Sequence, residues 1–166
     1  IRRLEHVALI IIGPVLPADK TFFEDLQHQI ATQPDLQGKV FYHGFVPADD
    51  LLAWTASADL GLHPIINWNM NHYLCLPNKL FEYLQAGLPV GVSHFPEMRQ
   101  VVEDYQVGFV FDPDDPQEMA NAIQAFLDNP TRQATTRQNV QRAKHTLCWE
   151  QEEQKLAALY QAILSQ

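Results

Sequence analysis

The stretch PNKLFEYLQAGLPV, residues 77–90, decides how this chain folds. It predicts a short helix that begins at Pro77, ends at Gly87 and leads directly into a buried strand. Proline suits a first helical turn, where its missing N–H is not needed, and glycine suits the left-handed position after the last turn. Glu82 lies mid-helix, and the helix N-terminus offers free N–H groups to an anion. A carboxylate that can accept from a diol, close to an N-terminus that can hold a phosphate, indicates a nucleotide ligand.

Strands alternate with helices on both sides of this stretch. The predicted strands cover residues 6–13, 39–43, 59–63, 89–93 and 108–111. The predicted helices cover residues 19–33, 49–56, 77–87, 97–102, 115–129, 131–145 and about 149–165, with a long polar loop at 64–76. The alternation implies a parallel sheet with helices on both faces. Ligands of such sheets bind beyond the C-terminal ends of the strands.

Two helix starts carry specific expectations. Asp49 or Asp50 is expected to cap the second helix, which would turn Leu51, Leu52 and Ala56 inward. Asp115 begins a near capping box for the helix at 115–129, with a glutamate three residues later.

Bulk composition narrows the class of protein. The 166 residues fit one domain, and 46% hydrophobic and 19% charged residues are ordinary for a soluble globular chain. A net charge of −9 argues against nucleic acid as a partner. No segment approaches the roughly 20 apolar residues of a membrane span. Cys75 and Cys148 lie far apart without a CxxC, which predicts neither a zinc site nor a disulfide.

Several nucleotide and hydrolase motifs are absent from the sequence. It contains no GxGxxG, GxxxxGK[ST], GxSxG or HExxH, so it indicates neither a dehydrogenase, a P-loop enzyme nor a serine hydrolase, and no metal is predicted. His63 and His94 end strands on the expected ligand edge. A lone histidine there is interpreted as a packing or hydrogen-bonding residue.

The run PNKLFEYLQAGLPVGVS resembles the signature of the large retaining family called glycosyl transferases group 1. The resemblance continues upstream through VFYHGFVPADDLLAWTASADLGLHP and downstream through VGFVFDPDDPQEMANAIQAFL and CWEQEEQKLAALYQAIL. It thus covers nearly the whole chain. Members have the GT-B architecture, two Rossmann-like domains with the active site in the cleft between them.

The resemblance implies that residues 1–166 are the Rossmann-like C-terminal domain of such an enzyme, closed by the helix at about 149–165. It also implies a piece of a longer protein. The family's first strand, with its Gly-Arg pair and lysine that hold the diphosphate, has no counterpart here, and neither has the N-terminal acceptor domain. Arg2 and Arg3 do not occupy that context. The chain alone is therefore expected to be inactive.

The resemblance assigns donor-binding residues but no catalytic one. Glu82 would hold the ribose hydroxyls, although an ion pair with Lys79 is the structural alternative. The β-phosphate would lie at the start of the same helix, and the turn at 44–46 would meet the nucleobase unless its glycine serves only the backbone. The full donor-binding set is Gly44, Phe45, Val46, Leu76, Pro77, Asn78, Lys79 and Glu82.

Two positions depart from the family pattern. Leu74 replaces a glutamate that contacts the donor sugar eight residues before Glu82, and Glu97 follows Pro96 where the family often has a Gly-Gly pair. Other side chains could form the sugar subsite instead, and the candidates are Asn71, His72, Glu97 and Arg99. The alternative is a polar surface loop with Trp68 packed beneath it.

Three functions follow from the resemblance. The first is a donor domain of a glycosyltransferase that moves a sugar from a nucleoside diphosphate to a carbohydrate or lipid-linked acceptor, with retention and without a metal or other cofactor. This would place the protein in polysaccharide biosynthesis, in the cytoplasm and at the membrane periphery in its full form. The alternatives are an epimerase-like enzyme acting on nucleotide sugars and a degenerate domain that binds only nucleotide or a partner protein.

Overall fold

The computed structural model describes Ile1–Ser165 and contains two compact units that meet between Leu51 and Leu52 in the chain. The first unit contains one pair of strands and one long helix. Its elements are strand β1 (Leu9–Ile12), a 3₁₀ turn (Pro17–Asp19), helix α1 (Lys20–Thr32) and strand β2 (Val40–Gly44). Helix α2 (Ala48–Ala56) crosses the boundary between the units.

The second unit contains the remaining strands and most of the helices. Its elements are β3 (Gly61–His63), α3 (Met70–Tyr73), α4 (Asn78–Gln85), β4 (Val90–Ser93), α5 (Pro96–Tyr105), β5 (Gly108–Phe111), α6 (Pro116–Leu127), α7 (Pro130–Thr146) and α8 (Trp149–Leu164).

The strands form two parallel sheets, one with the order β1-β2 and one with the order β3-β4-β5. Within each sheet the strands are parallel, so their carboxyl ends share one edge of that sheet.

Helices cover both faces of the second sheet, as predicted. On one face Val90 and Val92 are fully buried at 0% exposure. They belong to a cluster with side chains of α4, α5 and α7, namely Leu80, Leu84, Met98, Val102, Val140 and Ala143. On the other face the ring of Phe109 packs against Phe126 of α6, with centroids 5.3 Å apart. The predicted α/β class is confirmed, and this sheet carries the main core.

Several helix ends follow the local signals in the sequence. Asp115 caps α6, since its Oδ1 accepts from the backbone N–H groups of Gln117 at 2.8 Å and Glu118 at 3.0 Å. Gly87 has a φ of +83°, the left-handed conformation expected after α4. Helix α5 continues to Tyr105, past the predicted end, because Gln106 provides the left-handed residue that stops it, with a φ of 52°.

Some expectations were wrong at the level of single elements. Strand β1 starts at Leu9 and not at residue 6, because His6 has a left-handed φ of 55° that breaks an extended run. Helix α2 starts before both candidate caps, since the carbonyl of Pro47 accepts from the N–H of Asp50 at 3.0 Å. Leu52, expected to face inward, is 48% exposed.

Further differences concern helix α2, the loop at 64–76 and helix α8. Ala56 is exposed as well, contrary to expectation. The loop predicted at 64–76 contains the short helix α3. Helix α8 has the predicted bounds, and its apolar side chains are exposed, among them Leu159 at 58% and Ile163 at 59%.

Candidate functional site

The candidate site of the second unit lies where its strands end. Because β3, β4 and β5 are parallel, their carboxyl ends share one edge of the sheet. The chain leaves β3 at His63, passes through the loop at 64–76, and enters α4 at Asn78. The stretch singled out in the sequence therefore begins at the edge of the sheet where ligands of this fold class bind.

The N-terminus of α4 is not capped by a side chain in the part of the chain that the structure describes. Pro77 is the N-cap residue, with an extended conformation, and it has no side-chain oxygen to offer. By contrast, Asp115 and Asn129 cap α6 and α7. The N–H groups of Asn78 and Lys79, which lie at the positive end of the helix dipole, are therefore available to bind an anion. Lys79 is exposed and adds a full positive charge.

Glu82 lies about one turn further along the same helix. At 1.5 Å of rise per residue it is roughly 6 Å from Asn78 along the axis. Its side chain is exposed, and among the described residues no salt bridge joins it to Lys79. The alternative in which these two side chains pair is therefore not what the structure contains. The carboxylate is accessible to a ligand.

Helix α4 is anchored on its inner side. Leu80 and Leu84 are fully buried, and the hydroxyl of Tyr83 donates to the carbonyl of Leu62 in β3 at 3.1 Å. Burial, with a smaller contribution from the charge of Glu82, raises the pKa of Tyr83, so its hydroxyl remains a donor at neutral pH. At the other end of the helix, Nε2 of Gln85 donates to the carbonyl of Lys144 in the last turn of α7 and to that of Leu147 just after it, both at 3.0 Å. The helix is a fixed platform for the groups at its start.

The loop before α4 exposes its largest side chain. Trp68 is 74% exposed, so the alternative with this ring packed beneath the loop is wrong. Asn69 caps α3 by accepting from the N–H of His72 at 3.0 Å. Residues 64–78 contain no Asp, Glu, Lys or Arg, although the whole chain carries a net charge of −9. Leu74 is 49% exposed, and Leu76, a candidate donor contact, is 42% exposed.

The candidate sugar-subsite residues differ in their surroundings. Asn71 is exposed, whereas His72 is half-buried and its Nδ1 has no hydrogen-bond partner among the described residues. Glu97 is exposed in the first turn of α5, where a carboxylate is favourable to the helix dipole. Arg99 pairs with Glu103, four residues on, at 3.8 Å, so its charge is directed along α5 and not toward Glu97.

Two residues at the strand ends were not assigned to the site from the sequence. The hydroxyl of Ser93, fully buried at 0% exposure, donates to the carbonyl of Ile65 at 2.6 Å and holds the start of the loop. Nε2 of His63 is buried without a partner among the described residues. Burial, and then the charge of Lys79, lower the pKa of His63. Because Gly61, two residues earlier in β3, contacts Tyr83 of α4, the His63 side chain is on the face of the strand that α4 covers. Its position at a strand end was the only signal in the sequence.

The predicted base-binding turn belongs to the first unit. Gly44 has a φ of +88°, and its carbonyl accepts from the N–H of Gly13 at 2.8 Å. The hydroxyl of Tyr42 donates to the carbonyl of Gly13 at 2.6 Å and braces the same turn. Phe45 is 71% exposed and Val46 only 7%. The turn therefore presents the aromatic ring of Phe45, while Val46 packs inside.

The described residues give little support for a metal site, a disulfide or a membrane span. No group of three or more His, Cys, Asp and Glu side chains with metal-binding proximity occurs among them. Both cysteines are free, and burial raises the pKa of Cys75, whose thiol donates to the carbonyl of His72 at 3.1 Å. Within Ile1–Ser165 no helix is long and apolar enough to cross a membrane.

A groove of about 1000 Å³ lies elsewhere in the second unit. It is lined by Gly108, Arg132 and Asn139, and Gly108 is the first residue of β5. It therefore borders the amino end of that strand and is separate from the edge at which α4 begins.

Comparison with known proteins relates the whole arrangement to one group of enzymes. A family model described as "Glycosyl transferases group 1" matches residues 1–129. O-antigen chain mannosyltransferase B of Escherichia coli is 26% identical over 137 residues, which are 82% of this chain and 34% of that protein.

Two solved structures share the fold. HepE of Anabaena, solved in complex with UDP, superposes with a TM-score of 0.82 at 23% identity, over 97% of this chain and 43% of HepE. Sucrose-phosphate synthase from Thermosynechococcus elongatus gives a TM-score of 0.77 at 22% identity, over 95% of this chain and 38% of the synthase. The Rossmann-like fold is thereby confirmed. The chain spans 34% to 43% of the length of these three proteins.

Proposed function

This chain belongs to the glycosyl transferases group 1 family, and from that membership we propose that residues 1–166 act as the nucleotide-sugar donor domain of a glycosyltransferase. The family match over residues 1–129 includes residues of both compact units, so each unit belongs to the matched family. The observation that carries the proposal is the uncapped N-terminus of α4 with the exposed carboxylate of Glu82 one turn away.

The donor is a nucleoside diphosphate sugar. HepE was solved with UDP, which makes the uridine nucleotide the first ligand to test. In the proposed complex the N–H groups of Asn78 and Lys79, after Pro77 and Leu76, hold the β-phosphate, and Glu82 accepts from the ribose hydroxyls. The turn at 44–46 has a proposed base-binding role of its own, which a Phe45→Ala variant tests separately.

The same groups stabilise the departing diphosphate when the sugar is transferred. Charge builds up on the β-phosphate as the bond to the sugar breaks, and preorganised N–H dipoles with a nearby lysine stabilise such charge. The proposal includes no metal ion. Transfer to a carbohydrate or lipid-linked acceptor, with retention, belongs to the whole protein, as does its cytoplasmic location. Asn71, His72, Glu97 and Arg99 are the proposed sugar contacts.

One observation favours a second candidate function, a domain that binds nucleotide without the sugar. Leu74 is exposed and apolar at the place where the family carries a sugar-binding glutamate. In that case UDP and UDP-glucose would bind equally, because the glucose would gain no contact. Tighter binding of the sugar nucleotide favours the glycosyltransferase donor domain.

The test is a titration of the chain with UDP, GDP, ADP and one sugar nucleotide of each base, by calorimetry and ligand-observed NMR. We expect saturable binding of one base and a loss of about tenfold or more in Glu82→Gln, since hydrogen bonds to a charged group contribute about 1.5–3 kcal/mol. Glu153→Gln, an exposed glutamate of α8, is the matched control and should bind like the parent chain. Equal affinity in both variants, or no binding of any nucleotide, contradicts the proposal.

A further inference from the structure

Two histidines lie at neighbouring strand ends of the second sheet, and only one of them is paired. Nδ1 of His94, just after β4, donates to the carbonyl of Phe111 at 3.0 Å. Nε2 of His63, at the end of β3, is buried and has no hydrogen-bond partner among the described residues. A buried polar group without a hydrogen-bond partner is destabilising, so native structures rarely keep one without a role.

The elements next to His63 include α4, which packs on β3, and β4, which pairs with it. From α4, Lys79 lies close enough to disfavour a positive charge on the ring, and the hydroxyl of Tyr83 already donates to Leu62. From β4, the hydroxyl of Ser93 donates to Ile65 at 2.6 Å and lies 3.5 Å from the carbonyl of His63. These neighbours are one cation and two hydroxyls. None of them is an anion that would hold a proton on the imidazole.

An anion bound at the start of α4 would make the charged form of the His63 ring more favourable. It would offset the charge of Lys79 and offer an acceptor to a ring whose Nε2 has none. A nearby negative charge favours the charged form of histidine. The segment from β3 through the loop at 64–76 to α4 therefore contains a buried nitrogen without a partner, a lysine and an uncapped helix N-terminus.

We propose that His63 is a positioning residue for the donor diphosphate, taking up one proton from solvent when the diphosphate binds and donating from Nε2 to a phosphate oxygen. The inference rests on the proposed function, because it needs an anionic ligand at the start of α4. The proton leaves a solvent or buffer acid and forms an N–H bond on the ring, and no covalent bond of the ligand forms or breaks. Donor binding is thereby coupled to protonation, so it strengthens as the pH falls from about 8 toward 6.

Calorimetry tests the coupling directly. UDP-glucose and GDP-mannose are titrated in parallel into the chain at pH 7, in buffers that differ in their enthalpy of ionisation. These probes are suitable because a diphosphate esterified at both ends has no group that titrates near pH 7. The slope of the observed enthalpy against the buffer enthalpy gives the number of protons taken up. We expect on the order of half a proton or more in the parent chain, as the ring passes from neutral to charged.

His63→Gln should bind several-fold more weakly with a slope near zero. His94→Gln, whose ring already has a partner, should keep the slope of the parent chain and controls for removing a histidine from this edge. A direct readout that needs no variant to fold is the ¹⁵N resonance of Nε2 in the parent chain, which should move into the protonated range on saturation.

The outcomes separate the two proposals. Binding of a probe without proton uptake, or with uptake that persists in His63→Gln, overturns the role of His63 and leaves the donor domain standing. Failure of both probes and of the free nucleotides to bind overturns the proposed function itself. Proton uptake that is lost in His63→Gln and kept in His94→Gln supports both the donor domain and the role of His63.

Discussion

Gly61 and Tyr83 are in direct contact across the β3–α4 interface: a Cβ added at Gly61 would lie 2.3 Å from Cγ of Tyr83. The close approach brings the ring over the strand, and its hydroxyl then reaches the carbonyl of Leu62 at 3.1 Å. Glycine is needed here for space and not for its backbone angles. The contact fixes the helix that carries Lys79 and Glu82 against the strand that ends in His63.

Gly61→Ala is expected to destabilise the chain by about 1–3 kcal/mol, the usual range for overpacking a well-filled interface. The methyl group would meet the base of the Tyr83 ring, which cannot swing away while Leu80 and Leu84 hold the helix in the core. Urea unfolding followed by circular dichroism measures the change. The variant should also bind nucleotide more weakly, because α4 moves.

A double-mutant cycle provides the control. In a Tyr83→Ala background the added methyl group has room, so Gly61→Ala should cost much less there than in the parent chain. Additive free energies of unfolding would show that the clash is relieved elsewhere and that this contact does not set the position of α4.

Ser93→Ala is expected to lower the free energy of unfolding by about 1–3 kcal/mol, since it leaves the carbonyl of Ile65 unsatisfied. Ser93 is 0% exposed and its hydrogen bond to Ile65 is 2.6 Å long. Faster amide hydrogen exchange at the start of the loop at 64–76 would report the release. Ser57→Ala is the matched control, because that exposed hydroxyl also donates to a backbone carbonyl, at 2.7 Å, and its loss should cost little. Equal effects of the two substitutions would contradict the prediction.

Asp115→Ala should destabilise α6 by about 1 kcal/mol through the loss of its cap. Two backbone N–H groups, at 2.8 and 3.0 Å from Oδ1, lose their acceptor. Asp115→Asn should restore most of the stability, and Asp114→Ala, next to it and exposed, should have an effect below about 0.5 kcal/mol. Thermal unfolding of the four proteins measures this. An Asp115→Ala variant as stable as the Asp114→Ala variant would show that the cap adds nothing.

The parts of the fold that could be predicted are those set by local chemistry. Gly87 at the end of α4 and Asp115 at the start of α6 act through backbone conformation and hydrogen bonds within a few residues, so the sequence alone identifies them. The order of strands and helices follows for the same reason. The pairing of the strands in two sheets was not evident in the sequence pattern, because each strand shows the same buried run whichever neighbour it pairs with.

The site was harder to predict, because it depends on contacts between elements distant in the chain. A histidine before a loop gives no indication that its Nε2 will be buried without a partner, as that of His63 is. Trp68 was as compatible with packing as with exposure, and only the tertiary structure shows the ring to be 74% exposed. Leu52 has the spacing of an inward residue, yet 48% of its surface remains accessible.

The pH dependence of stability provides a test of His63 without any ligand. Burial, and then the charge of Lys79, lower the pKa of His63 from 6.5 in the folded chain. At a pH below about 6.5 the unfolded chain therefore binds more protons than the folded chain, and the folded state loses stability as the pH falls. His63→Gln cannot take up this proton, so its free energy of unfolding should fall less steeply between pH 7 and pH 5.

Urea unfolding at half-unit steps of pH measures both curves, and the difference between them removes the contribution of the carboxylates that the two proteins share. Lys79→Gln should give an intermediate slope, because it removes the smaller of the two causes and leaves the burial. Parallel curves for the parent chain and His63→Gln would mean that the ring charges as easily in the folded chain as in the unfolded one. The neutral, unpaired imidazole beside the start of α4 would then not exist in solution, and the proposed coupling of donor binding to protonation would lose its starting state.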